Sequence, residues 1–373
     1  MPPGQRSLIR STLTVIGTII GAGLFGLPAM FARLGLWYGS LLFVGMSAVV
    51  LVTHLLLVEL TLAEKIQRRM PGFVARWLGP WGGRVAGIVY PAQIIGADIA
   101  YILLGGAFLD LAARQFGIAI HPILWQWLFW VVMAYIVYRN LAFVAKVEAW
   151  ATWLLLAALL SLTLLITPHA VQMVPDLQVG SWVLGFGIIL FALTGFTVIP
   201  EAVELVGRNR KLAWLAVSAG TLFSAVVSWF FGVRMYEATG GVLTDALAYI
   251  SVIPPTWLWL LPVFGFLAVA TSFITCTEDF QASLMYDLGW DERAAWGVVV
   301  GAPLAISMVL KQEFIAIASF VGAVFVGTSG LLIALAAARL GASRRRRFLL
   351  VGGVVGSCAY VLGIVHAVLQ PIL

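Results

Sequence analysis

Apolar residues are gathered along this chain into eleven long blocks, and the charged residues fall mostly in the short segments between them. A run of about 20 apolar residues spans the hydrocarbon core of a bilayer as a helix. The blocks therefore predict membrane spans over residues 10–33, 38–63, 84–110, 121–138, 144–167, 181–203, 212–236, 256–284, 294–310, 313–338 and 348–370. The expected fold class is an all-α polytopic membrane protein with 11 transmembrane helices in a single membrane domain.

Ten of these spans form two groups of five, residues 10–167 and 181–338, with an extra helix at 348–370. Because five is odd, the second group enters the membrane upside down relative to the first, which allows a five-plus-five inverted repeat. In such repeats the first helix of each half is interrupted near the midplane, where freed N–H and C=O groups line a cavity. Span 1 carries Gly17, Gly21, Gly23, Gly26 and Pro28, and span 6 carries Gly195 followed by Pro200 at a comparable depth. Glycine and proline are also common in ordinary packed membrane helices. It is their matching position in the two halves that predicts broken helices 1 and 6.

Composition and charge sharpen this picture. The chain is 62% hydrophobic and 10% charged, whereas soluble domains carry about 25% charged residues. A net charge of +6 would suggest a nucleic-acid partner in a soluble protein, but here the basic residues lie in the loops, so lipid and not nucleic acid is the expected partner. With a cytoplasmic N-terminus, 18 of the 22 Lys and Arg fall on the inner side, leaving out only Arg33, Arg114, Arg234 and Lys311. That asymmetry predicts N-in and C-out, with Arg344 to Arg347 as a cytoplasmic anchor. Met1 to Arg10 is short and basic, but the glycines and Pro28 behind it suit a retained broken helix better than a cleaved signal. Cys276 and Cys358 both sit in apolar runs and indicate neither a disulfide framework nor a metal cluster. The expectation is an integral protein of a prokaryotic plasma membrane with no cofactor.

At three places the sequence resembles the amino acid, polyamine and organocation transporter superfamily. Ile20-Gly21-Ala22-Gly23-Leu24-Phe25-Gly26-Leu27-Pro28 is similar to its Gly-x-Gly first-helix break. Phe191 through Phe196, continuing to Glu204 and the basic loop Gly207 to Lys211, is similar to its Phe-Ala-x-x-Gly-Phe sixth helix. Span 8, from Ala270 through Asp279-Phe280 to Leu288, resembles the hydroxy and aromatic amino acid permease branch. The resemblance covers spans 1 to 10. It implies a secondary active amino acid transporter working by alternating access, with its substrate site between spans 1, 3, 6 and 8. The chain departs from the commoner twelve-span length, which leaves dimer contacts through the last helices open.

An amino acid presents a carboxylate and an ammonium, and a broken helix has complementary ends for both. The unpaired N–H groups and positive dipole end at Gly21, Ala22 and Gly23 suit the carboxylate, with glycine keeping the backbone exposed to it. Carbonyls freed at Phe191, Ala192 and Thr194, beside Gly195, suit the ammonium. Phe191 also resembles the family's aromatic lid, against the alternative of simple packing. Span 8 carries Ala268, Thr271, Ser272, Thr275 and Asp279 on one helical face, and a polar stripe in lipid must face protein or water. By resemblance, the hydroxyls of Thr271 and Ser272 and the carbonyls of Gly17 and Ile20 form a sodium site along this stripe, and oxygen ligands suit a hard cation. The alternative is that both hydroxyls bond their own i−4 carbonyls. Some proton-coupled relatives use a lysine of the fifth helix instead. Here Lys146 lies at the inner end of span 5, about 13 Å from its middle, which favours sodium over protons as the coupling ion.

Asp98 sits near the middle of span 3, where an acid is a functional candidate by default. It is expected either to carry a coupling proton or meet a cationic substrate group, or to lock helices together. Tyr101 falls where the family's third-helix tyrosine points into the pocket. Glu59, Glu201, Glu204, Glu278 and Asp279 lie toward the inner ends and are expected to be solvated or paired with arginines. The four histidines are scattered singly and receive no role. Two rival readings stay open at this point: a polytopic membrane enzyme, for which no His-x-x-x-His pair or Ser/His/Asp spacing is seen, and a channel or nutrient sensor on the same fold.

Overall fold

The computed structural model describes residues 3–64, 68–139, 153–161, 163–164, 181–241, 247, 253, 255–310, 313–343 and 346–369. Helix α1 covers Pro3–Ile19, a 3-10 turn covers Ala22–Gly26, and α2 runs Leu27–Ala63. They are followed by α3 (Met70–Arg114), α4 (Pro122–Tyr138) and α5, described over 153–161. The second half contains α6 (Ser181–Leu193), α7 (Ile199–Leu205), α8 (Arg210–Ala238), α9 (Leu260–Leu288) and α10 (Glu292–Ser307). Helix α11 (Phe314–Phe320) continues through a π-helical segment (Val321–Val326) into α12 (Gly327–Ser343), and α13 covers Arg347–Leu369. No strand occurs among the described residues. Six of these helical stretches are long and apolar enough to cross a membrane. Leu41, Ile88, Val226 and Leu362 are exposed around the outside, where only lipid can accommodate such a surface. The chain is an integral membrane protein.

Each predicted span outside 144–167 is matched by a helix or a broken pair of helices. The span over 144–167, with Lys146, lies mostly outside the described residues. Two glycines divide continuous helical stretches where the pattern alone drew different limits. Gly35 takes φ 71°, a left-handed value that a side chain disfavours, and there the chain leaves the first span and turns into the second within α2. Gly79, at φ 76°, cuts α3 in the same way. Residues 70–78 are therefore helical before the third span begins, where the charge pattern suggested only a loop.

The breaks are held between larger helices. The 3-10 turn packs on α6, α1 packs on α7, α8 and α9, and α3 lies along α9, while α2 lies along α6 and α8. At the arginine-rich end, side chains tie these elements together. The Glu59 carboxylate at the end of α2 is buried and accepts from Arg210 of α8, from Arg346 Nη1 at 2.6 Å beside α13, and from Trp214 Nε1 at 2.7 Å. Arg208 donates to Glu204 and to the backbone carbonyl of Thr61. Arg69 pairs with Asp279 of α9 at 3.1 Å. Midway along α13, the Tyr360 hydroxyl lies 3.0 Å from Thr53 Oγ1 of α2.

Removing one partner of a fully buried ion pair costs about 3–5 kcal/mol. Arg210 and Arg346 are 55% and 43% exposed, and solvent screening reduces the figure for Glu59→Gln to about 1–3 kcal/mol. Thermal melts of purified protein should show this variant losing several degrees. Arg114→Gln, which breaks the exposed pair with Asp110, should stay within about 0.5 kcal/mol of wild type.

Candidate functional site

The first break begins where α1 stops at Ile19. Gly21 adopts extended angles (φ −131°, ψ −153°), and the 3-10 turn then restarts the helix. The first N–H groups of such a turn, those of Ala22 and Gly23, have no helical acceptor behind them. The second break runs from Thr194 to Val198, between α6 and α7. Its Thr194 N–H still closes on Leu190 O at 3.0 Å, while the N–H of Gly195 leaves the helix and donates to Nε2 of His54 at 3.1 Å.

Between the breaks, α3, α9 and the π segment lies a small cavity of about 40 Å³. Of the residues expected at a substrate site, Gly21, Ala22, Gly23, Tyr101, Phe191 and Thr194 line it, as does Ser272 from the expected ion site. Two of its lining rings, Tyr101 and Phe191, lie 6.1 Å apart, and Phe191 is backed by Phe314, outside the lining, which it meets edge-on at 6.2 Å. The Tyr101 hydroxyl lies 3.9 Å from Cys276 Sγ. The hydroxyls of Thr18 and Thr194 both belong to cavity-lining residues, are buried, and have no hydrogen-bond partner among the described residues. A buried hydroxyl without a partner is costly, so these two are free to take up a polar ligand.

Several expected residues stand elsewhere. Ala192, Gly195, Gly17, Ile20, Ala268 and Thr271 are not among the lining residues. Asp98 is also outside the lining, although it is completely buried; its Oδ2 accepts from Thr277 of α9 at 3.0 Å. The cause is helical phase. Ile94, Ala97 and Tyr101 form the cavity face of α3, and Asp98 is turned about 100° from Ala97, toward α9. The Thr271 hydroxyl donates to Leu267 O and the Ser272 hydroxyl to Ala268 O, both at 2.9 Å. This is the i−4 bonding weighed above as the alternative, and it still leaves each oxygen able to accept.

The role expected of Gly23 also changes. A Cβ there would stand 2.4 Å from Ala192 Cα and 2.9 Å from Phe191 O. The missing side chain makes room for the second broken helix, rather than only for a ligand. At Gly21 a Cβ would meet Ser272 Oγ at 2.0 Å, which brings the end of α1 against α9. Sequence reasoning passed over Gln93, Thr197, Cys276 and the π-segment valines Val321 and Val326, which complete the lining. Gln93 and Cys276 could have been found at one-turn spacing from Ala97 and Ser272. The π segment left no signal in the pattern.

The sequence model of the tryptophan/tyrosine permease family matches residues 4–370. The chain belongs to that family. Its members are transport proteins, so the chain stands among permeases and not among enzymes. Two relatives come from Haemophilus influenzae. Tyrosine-specific transport system 1 is 30% identical over 122 residues, covering 32% of this chain and 30% of the relative. Tyrosine-specific transport system 2 is 31% identical over 108 residues, covering 29% and 27%. The match thus spans less than a third of the length of either relative. Among solved structures, MHP1, a nucleobase-cation-symport-1 family transporter with bromovinylhydantoin bound, superposes with a TM-score of 0.65 at 12% identity, over 98% of this chain and 94% of its own. MhsT in complex with L-phenylalanine gives 0.65 at 15% identity, over 96% and 98%. At such identities these two establish the shared transporter fold alone.

Contact geometry separates the two glycines of the first break. Gly21→Ala meets the end of a small side chain, so Ser272→Ala in the same protein should recover most of the lost stability, with a coupling of about 1 kcal/mol or more. Gly23→Ala meets backbone, and Ser272→Ala should not rescue it. A double-mutant cycle on thermal melts checks both; rescue of Gly23→Ala would contradict the packing described here.

Proposed function

We propose that this permease is a secondary active transporter of aromatic amino acids that works by alternating access with a cation as co-substrate. The observation that carries the reading is the cavity itself: two helix breaks face each other across it, its wall is aromatic, and two of its buried hydroxyls lack partners. The substrate carboxylate would lie on the N–H groups of Ala22 and Gly23, at the positive end of the resumed helix. The ammonium would lie on carbonyls at the end of α6, from Phe191 to Thr194, with the hydroxyls of Thr18 and Thr194 completing its contacts. The aromatic side chain would stack against Tyr101 and Phe191, since edge-to-face ring pairs add about 0.5–1.5 kcal/mol each beyond area burial. The names of the two Haemophilus relatives support tyrosine as one substrate.

The remaining expectations belong to the same proposal. The eleven spans form two inverted five-helix units with the N-terminus inside, and the arginine-rich end faces the cytoplasm, as the charge asymmetry favours. Sodium is preferred over protons as the coupling ion. It would sit where the end of α1 meets α9, held by the carbonyls of Gly17, Ile20 and Ala268 and the hydroxyls of Thr271 and Ser272. The contact between Gly21 and Ser272 supports that juxtaposition, and an oxygen-only donor set suits a hard cation. Asp98, bonded to Thr277, holds α3 to α9 beside this site.

Proteoliposomes carrying an inward sodium gradient should concentrate labelled tyrosine, tryptophan or phenylalanine, with lysine and glutamate failing to compete. Phe191→Ala should raise KM about tenfold, equivalent to about 1.4 kcal/mol. The combined Thr271→Ala and Ser272→Ala variant should lose any sodium dependence. Downhill flux without concentration would point to a channel, and uptake driven by a pH gradient alone would overturn the sodium assignment.

A further inference from the structure

We propose that His54 is the positioning residue that sets the geometry of the second helix break, and that it acts only as the neutral imidazole with its proton on Nδ1. His54 lies in α2, completely buried, and contacts both α8 and the second break. Its Nε2 receives the N–H of Gly195 at 3.1 Å, and its Nδ1 lies 2.9 Å from Thr221 Oγ1 of α8. Its ring stands edge-on to Phe196 at 5.6 Å. Gly195 is wedged in return: a Cβ there would meet Ile19, the last residue of α1, at 2.9 Å and His54 Cε1 at 3.6 Å.

Proton placement follows from the donors. A backbone N–H points at Nε2, so Nε2 must hold a lone pair. The one proton of the neutral ring is then on Nδ1, where it donates to the Thr221 hydroxyl. An imidazolium would set N–H against N–H at Gly195, and the opposite tautomer would do the same. The need for this acceptor comes from the membrane. Breaking a helix strips backbone groups of partners in a place where water does not replace them, and Gly195 has lost its helical acceptor. Thr194, whose free hydroxyl lines the cavity, immediately precedes the clamped residue, and cavity-lining Thr197 follows two positions later. Fixing Gly195 thus aims both threonines. This goes beyond the proposed function while resting on it for the claim that the cavity is the transport site.

Three measurements on the full chain in detergent or nanodiscs test the assignment. Nitrogen-15 spectra of histidine-labelled protein, with His54→Gln to identify the signal, should show Nδ1 protonated and Nε2 bare at neutral pH; the other tautomer or an imidazolium overturns the proposal. Hydrogen exchange of the peptide around residues 190–200 should accelerate at Gly195 about tenfold or more in His54→Leu. It should return near wild type in His54→Gln, whose amide oxygen can occupy the place of Nε2. Thr221→Val, which leaves the cavity untouched, should accelerate it as well by releasing the tautomer. Titration with L-tyrosine, L-tryptophan and L-phenylalanine should show at least tenfold weaker binding in His54→Leu and no more than threefold in His54→Gln. Native exchange and affinity in a folded His54→Leu protein, or a His54→Gln protein as impaired as His54→Leu, would falsify the positioning role. Should wild type bind none of the three amino acids, the substrate reading fails, and the spectra and exchange rates still uphold or overturn the role of His54.

Discussion

Every backbone N–H and C=O inside a bilayer must find a partner within the protein, and the rest of this structure depends on how the two helix breaks meet that demand. An unbroken helix meets it alone. A broken one exposes several groups at once, and here the response is divided among neighbours. The first break returns to a helical form within one 3-10 turn. The second gives one of its N–H groups to a histidine 141 residues earlier in the chain. Beside the two breaks the hydroxyls of Thr18 and Thr194 stay without partners among the described residues, and both residues line the cavity, where a polar ligand can supply one.

Close approach is the second half of that arrangement. Gly21 and Gly23 let the first break touch α9 and α6 at distances that no side chain allows. The first interrupted helix is thereby pressed both against the continuous α9 and against the second interrupted one. The aromatic wall of Tyr101 and Phe191, backed by Phe314 outside the lining, then draws on three separate elements, α3, α6 and α11. Relative movement of those elements would open or close the wall without any ring changing its own helix.

Much of this was legible in the sequence because hydrophobic block length and glycine–proline punctuation act over one helix at a time. They located both breaks, and Tyr101 and Phe191, singled out by resemblance, line the cavity between them. The properties that escaped are those that depend on how helices rotate against one another. Asp98 looked like a site residue by depth, but the phase of α3 turns it to Thr277. His54 looked like one scattered histidine among four, and only the tertiary arrangement puts Gly195 and Thr221 on its two nitrogens. The π segment at Val321–Val326 is one extra residue per turn in an otherwise regular apolar run, and no periodicity argument resolves that. The helix over residues 70–78 was hidden because it is short, opens with Pro71 and Gly72, and follows the charged run from Glu64 to Arg69, so that it read as part of a loop until Gly79 marked its end.

The links from α13 back to α2 bear on how the molecule is made. Membrane helices emerge from the ribosome in order, and α2 is among the first. Its Glu59 is buried against Arg210, which arrives midway through synthesis, and against Arg346, which arrives only with the last described helix. Thr53 likewise waits for Tyr360. Until Arg346 has been made, the second span therefore carries an acid whose full set of countercharges does not yet exist. The nascent chain must keep that end of α2 at the water interface or in contact with the insertion machinery, and final closure of the bundle is deferred to the moment α13 docks.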